Sequence, residues 1–313
     1  MRGEMSMWSD WLRQPQRLWL RRASFQIHLW TSLAIGLYIV MLCVTGSALV
    51  YRDVLDEAYE TPAPAFEPGR DALSTEQLRD AAQKAYPGYD VTRVGSRFSR
   101  RRPVIEIWVD RGDEHIERLF SPYTGEDLGP ALHWITRLNV QLADMHDNLL
   151  FGEIGKRVNG AGSVLIVLLC LTGAVVWWPG VRNWRRGLGV KWKASWPRLN
   201  FDLHSAMGFW FFLLILMWGA SGIYLAFPEP FGAVVDRFSE PDEILGQRTG
   251  DIILRWFVRL HFGRWEEVPP LMALWAVLGT IPALMFVSGA IMWWHRVLKK
   301  RAVRPADAPA FES

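Results

Sequence analysis

The chain has 313 residues, with 35 basic against 32 acidic side chains and an apolar share of 50%. The net charge of +3 and the mean hydropathy of +0.05 both average two unlike populations. Four windows hold no Asp, Glu, Lys or Arg: Ala23 to Tyr51, Val158 to Val181, Leu203 to Pro228 and Val268 to His295. Each exceeds the roughly 20 apolar residues that a bilayer core requires. That excludes an ordinary soluble domain, and no nucleic-acid partner is expected. The expectation is an all-α membrane protein with four spans in contact with a lipid bilayer.

Residues 1–51 comprise a basic leader (Arg2, Arg13, Arg17, Arg21, Arg22) and the first window. This window is too long for the apolar part of a signal peptide, so an uncleaved anchor is expected. Residues 52–130 open with an extended Pro-rich linker, Thr61 to Pro68. A helix over Ser74 to Tyr86 follows, with a Ser74/Gln77 capping box and a Pro87-Gly88 stop. Val91 to Val94, Val104 to Val109 and His115 to Phe120 then read as strands, with a tight turn at Arg111 to Asp113. A small α+β insert results.

Residues 131–181 begin with an amphipathic helix whose apolar face (Ile135, Leu138, Leu142, Met145) suits a membrane surface, and continue into the second span. Residues 182–228 are a basic loop (Arg182, Arg185, Arg186, Lys191, Lys193, Arg198) and the third span. Residues 229–295 are a loop with a second amphipathic stretch, Asp251 to His261, and the fourth span. Pro282 is tolerable in that span, and no broken mid-helix run is expected in any of the four. Residues 296–313 are a basic tail (Arg296, Lys299, Lys300, Arg301, Arg304). The three basic segments alternate with the other connections, so both termini are expected in the cytoplasm. Many of the 18 Trp, such as Trp30, Trp177 and Trp293, stand at window ends like an interfacial belt. Cys43 and Cys170 lie toward opposite sides of the membrane and are not expected to bridge.

The two halves of the chain correspond. His28 stands 17 residues before Thr45-Gly46, and His204 stands 17 residues before Ser221-Gly222. Thr172-Gly173 precedes Trp177-Trp178 as Ser288-Gly289 precedes Trp293-Trp294. His146 lies 26 residues before Thr172, and His261 lies 27 before Ser288. The expected architecture is a four-helix transmembrane bundle built from two tandem two-helix repeats. The small-residue pairs suit close helix packing in lipid.

Ionisable residues in or beside membrane spans are functional candidates. His28 and His204 share the cytoplasmic depth, and His146 and His261 the outer one. Two opposed imidazoles per depth fit the axial ligands of a non-covalent b-type haem, giving two haem b per chain. No Cys-x-x-Cys-His is present for covalent attachment, and a zinc or copper site would need more ligands at one depth. Gly36, Gly160, Gly162 and Gly208 leave room either for a macrocycle or for helix contact. His115 reads as solvated surface and His133 as an interface residue. His295, without a counterpart in the first half, is the substitute ligand on the inner side.

Several short motifs in this order resemble the PepSY-associated transmembrane family. They are Phe25-Gln-Ile-His28, Ala85-Tyr-Pro-Gly-Tyr-Asp-Val91, Tyr123-Thr-Gly-Glu-Asp-Leu-Gly129, Met145-His146 with Phe151-Gly152, Leu171-Thr-Gly-Ala-Val-Val-Trp-Trp178, Asp202-Leu-His204 and Ser221-Gly222. The resemblance runs from about residue 20 to 300. It implies a PepSY-like insert at residues 52–130 and a bacterial inner-membrane location. It also implies His28 and His204 as ligands of an inner haem, His146 and His261 as ligands of an outer one, and an activity like that of ferric-siderophore reductases.

Electrons would enter from a cytoplasmic reductase or a quinol and leave to a periplasmic ferric siderophore or similar chelate. No nucleotide or flavin motif is visible, so a separate donor is needed. Trp134, Arg137, Trp256, Arg259, Phe262, Arg264 and Trp265 are the candidate acceptor site. The competing readings are a membrane-anchored regulator or binding protein without redox activity, and a haem or metal transporter. The expected topology is checked by cysteine labelling from outside: a probe at residue 110 reacts and one at residue 190 does not, and the reverse result inverts the orientation.

Overall fold

A computed structural model describes residues 9, 11–61, 71–99, 102–239, 248–265 and 267–298. Most of the expected linker Thr61 to Pro68, the start of the leader and the tail beyond residue 298 lie outside the described residues. In chain order the elements are α1 (Trp19–Leu49), α2 (Arg52–Tyr59), α3 (Thr75–Ala85), β1 (Asp90–Ser99), β2 (Arg102–Arg111), β3 (Glu114–Phe120), β4 (Asp127–Pro130), α4 (Trp134–Asn148), α5 (Gly152–Trp177), α6 (Trp196–Trp210), α7 (Phe212–Ala226), α8 (Pro228–Phe238), α9 (Thr249–Phe262), α10 (Pro269–Gly279) and α11 (Ile281–Trp293). The chain divides into two units, residues 51–142 and the remainder.

The remainder is helical. Trp19–Leu49, Gly152–Trp177 and Pro269–Val297 are each long and apolar enough to cross a membrane. The third charge-free window departs from the expected straight span: α6 and α7 meet at Phe211 with a bend of 61°, and the two cross only if taken together. The break follows Gly208 and falls in the aromatic run Phe209-Trp210-Phe211-Phe212, residue types of weak helix propensity. The protein is therefore a multi-pass membrane protein with three spans, or four with the bent pair.

α1 packs on α5 and α11, α5 on α7, and α11 on α6. Glycines carry these approaches. A Cβ at Gly36 would strike Phe286, one at Gly160 would meet Phe227, one at Gly162 would strike Tyr38, and one at Gly208 would lie 3.3 Å from Met285 Cε. Neighbouring side chains fill the space beside all four, so they serve helix contact, the second of the two uses the sequence left open for them. Cys43 and Cys170 are free thiols.

The 51–142 unit is an antiparallel sheet in the order β1-β2-β3-β4, with α3 packed on β1 and β2. Its core is Leu78, Ala82, Val91, Ile107, Val109 and Phe120. The expected capping box is present: Gln77 N donates to Ser74 Oγ at 3.2 Å and Ser74 N to Gln77 Oε1 at 2.9 Å. Gly112 takes the left-handed conformation (φ 59°) that the β2–β3 turn requires.

Two elements of this unit lack an equivalent in the sequence reading, as does α8 in the helical unit. β4 is four residues long and is anchored by Asp127, which accepts the Arg118 fork at 2.9–3.1 Å and the Tyr86 hydroxyl at 2.6 Å. α2 is tied to α4 by Asn139 Nδ2 donating to Asp56 Oδ1 at 2.9 Å. Phe120→Ala, which empties a fully buried site, is expected to cost this unit about 3–5 kcal/mol. The measurement is hydrogen exchange of the β2 and β3 amides in the full chain.

Candidate functional site

Four histidines are held in the same way. Thr45 Oγ1 lies 2.9 Å from His146 Nδ1, Thr172 Oγ1 3.3 Å from His28 Nδ1, Ser221 Oγ 2.7 Å from His261 Nδ1, and Ser288 Oγ 2.8 Å from His204 Nδ1. These hydroxyls belong to the Thr-Gly and Ser-Gly pairs that the sequence reading assigned to packing. Each also donates back to a carbonyl of its own helix: Thr45 to Met41 at 2.8 Å, Thr172 to Leu168 at 2.7 Å, Ser221 to Met217 at 2.7 Å and Ser288 to Met285 at 2.9 Å.

A hydroxyl has one proton. Where that proton goes to the helix carbonyl, the oxygen accepts from the ring, and Nδ1 then carries the hydrogen while Nε2 keeps its lone pair. For His28 the assignment is independent, because Nδ1 also lies 3.1 Å from the Leu169 carbonyl, which can only accept. The glycine after the hydroxyl lets the ring lie against the helix. A Cβ at Gly46 would sit 2.8 Å from His146 Cε1, one at Gly173 3.1 Å from His28 Cε1, and one at Gly289 3.4 Å from His204 Cε1. Gly222 departs from this pattern and faces Ser163 instead.

His146 and His261 face each other with ring centroids 6.2 Å apart and planes at 68°. Two metal–imidazole bonds of about 2 Å plus the half-widths of two rings span roughly that distance. Burial holds both imidazoles below their ordinary value, in the direction of the neutral state that ligates. His146 is further set by the turn into α5. Asn159 Nδ2 donates to the His146 and Asp147 carbonyls at 2.8 and 3.0 Å, and Tyr38 donates to Asn159 Oδ1 at 2.6 Å. Leu149 and Leu150 accept the left-handed conformation there (φ 55° and 65°).

His28 stands on α1 and His204 on α6, and both helices pack against α11. Asn200 Nδ2 donates to the Ser288 carbonyl at 2.8 Å, tying α6 to the strip of α11 that holds His204.

The remaining candidates separate. His133 accepts from Ile135 N at 3.3 Å and stacks on Tyr59 at 4.9 Å, so it ends a helix. His115 pairs with Asp110, which raises its imidazole above the ordinary value, and sits edge-on to Trp108. His295 lines a groove of about 460 Å³ with Trp196, Phe286 and Trp294. Trp134 and Arg137 belong to the 51–142 unit. In the helical unit Arg259 covers Trp256 and Trp265 at 5.5 and 4.9 Å, and Arg264 covers Phe262 at 4.8 Å.

The residues present suit a haem. Among the described residues, no group of three or more His, Cys, Asp or Glu gathers as a multidentate metal site would require. Among the described residues, four buried side-chain polar atoms have no hydrogen-bond partner: Arg21 Nε, Trp177 Nε1, Ser47 Oγ and Trp265 Nε1. Arg21 lies two helical turns before His28, Trp177 five residues after Thr172, Ser47 two after Thr45 and Trp265 four after His261. Each histidine pair thus has unpaired polar atoms nearby in the sequence, of the kind that haem propionates would satisfy.

The family described as PepSY-associated TM region matches the chain over residues 25–247 and 237–296. None of the curated proteins compared with it matches.

The turn that carries His146 is tight enough to test. A Cβ at Gly155 would strike the Asn148 carbonyl. Gly155→Ala is expected to cost about 1–3 kcal/mol, read as a lowered melting temperature in detergent. A variant that melts with the parent would show that the turn has slack.

Proposed function

The chain belongs to the PepSY-associated TM region family, and on that premise we propose that it passes electrons across a bacterial inner membrane through two non-covalent b-type haems. His28 and His204 hold the inner haem and His146 and His261 the outer one, in a four-helix arrangement of two tandem two-helix repeats with cytoplasmic termini. The acceptor is a periplasmic ferric siderophore or similar ferric chelate, and the donor is a cytoplasmic reductase or a quinol.

The observation that carries this reading is four half-buried imidazoles, each with Nδ1 within hydrogen-bond distance of a buried hydroxyl that also reaches a carbonyl of its own helix. Such rings offer Nε2 for ligation and have no other evident use for it. Each haem, when bound, supplies a one-electron couple inside a barrier that ordinary side chains do not conduct across. The chain's own part is to hold each ring in one tautomer, keep water from the ligands with packed apolar helices, and present cationic and aromatic residues such as Arg259, Trp256 and Trp265 on the outer side.

One observation favours a second reading. The 61° bend between α6 and α7 is a broken membrane helix of the kind that lines carrier sites, which suits a haem or metal transporter.

The purified protein is expected to show a sharp Soret band, a narrow reduced α band and two haems per chain by pyridine haemochrome. His204→Ala and His261→Ala should each remove one. A colourless protein, or one haem per chain, overturns the assignment. Ferric chelates should reoxidise the dithionite-reduced protein, more slowly in His261→Ala than in His295→Ala. Equal rates would place the electron exit elsewhere, and chelate uptake into vesicles without reoxidation would favour the carrier.

A further inference from the structure

A ring held in a membrane by one nitrogen has few choices of partner. A carboxylate would bring a charge into the low-dielectric interior, which is expensive there. A backbone carbonyl in a helix already accepts one bond and has a single lone pair to spare, which His28 Nδ1 reaches at Leu169, 3.1 Å away. A Ser or Thr hydroxyl back-bonded to its own helix is neutral, buried and an obligate acceptor. All four histidines meet this one solution, at 2.7–3.3 Å. The hydroxyls are themselves deeply buried: Thr45 is 3% exposed, Thr172 7%, Ser221 0% and Ser288 6%. Chance packing does not select the same atom, Nδ1, four times.

The pattern has a second regularity. Thr45 on α1 holds His146, which precedes α5, and Thr172 on α5 holds His28 on α1. Ser221 on α7 holds His261 on α9, and Ser288 on α11 holds His204 on α6. Every bond is made within one half of the chain. Each half therefore supplies the Nδ1 partner of its own two rings without the other half.

We infer that Thr45, Thr172, Ser221 and Ser288 are positioning residues. Each hydroxyl locks its histidine as the Nδ1–H tautomer, and thereby fixes which nitrogen reaches the iron and how strongly that nitrogen donates. This rests on the haem reading for its consequence, though the tautomer is a property of the chain alone. An acceptor on Nδ1–H raises the basicity of Nε2, which favours ferric over ferrous iron. Loss of the hydroxyl raises the midpoint potential of the haem concerned and leaves the other unchanged.

Two measurements on the full chain in detergent test this. The first uses protein from haem-starved cells, labelled with ¹⁵N-histidine, in which NMR separates Nδ1–H from Nε2–H rings. His146 is expected wholly as Nδ1–H in the parent and in Thr45→Ser, and as a mixture in Thr45→Val. The second is potentiometric titration of the haem-loaded protein. The outer midpoint should rise in Thr45→Val, return in Thr45→Ser, and rise again in Ser221→Ala, which removes a single oxygen and is the variant to use if Thr45→Val does not fold. Parental tautomers and parental midpoints in both Thr45→Val and Ser221→Ala overturn the inference. Protein that takes up no haem fails the functional reading instead, while the NMR result still decides the role of the hydroxyls.

Discussion

A polar group inside hydrocarbon must find its partner in the protein, because no water is there to supply one. For an imidazole the requirement is double, since its two nitrogens have opposite needs. This chain meets one need with a hydroxyl and leaves the other nitrogen open, and it does so at each of four rings. Much else in the helical unit follows from that constraint. The glycines at 46 and 173 stand where a side chain would press on the ring, and a Cβ at 289 would just touch it. Asn159 and Asn200 pin the backbone of His146 and Ser288, and Tyr38 braces Asn159 from α1.

Much of this was legible from the sequence, to differing depths. The membrane-spanning windows stand out because charge is excluded from them, and the histidines because an ionisable group at a window edge is conspicuous. The Thr-Gly and Ser-Gly pairs were visible as a repeat but read as packing. Their contact to a ring on another helix is tertiary, and a hydroxyl gives the same sequence signal whether it faces lipid, its own carbonyl or an imidazole. Asn159 and Tyr38 carried no signal at all. Gly36, Gly160, Gly162 and Gly208 left two uses open, and only the positions of Phe286, Phe227, Tyr38 and Met285 decide between them.

The bend at Phe211 shows a different limit. Composition reports that 26 residues between Leu203 and Pro228 are free of charge, but not that the helix changes direction among them. Short elements escaped for a related reason. β4 has four residues and α2 has eight, so neither repeats its pattern long enough to rise above its neighbours. They are held by single side chains, Asp127 and Asn139, whose partners are distant in the chain. The 51–142 unit was otherwise plain, because its capping box and alternating strands are local signals.

The confinement of each hydroxyl–imidazole bond to one half of the chain bears on ancestry. On the haem reading proposed above, a hairpin of two spans that orders its own rings would lack only the opposing ligand at each depth, and a second copy related by a twofold axis along the membrane normal would supply it. On that reading a symmetric pair of short chains would be a complete precursor, and fusing them would let the copies diverge. The first half now uses Thr at both positions and the second uses Ser at both, so every site pairs one of each. Divergence of that kind is open to a fused gene and closed to a homodimer, where one change alters both sides at once.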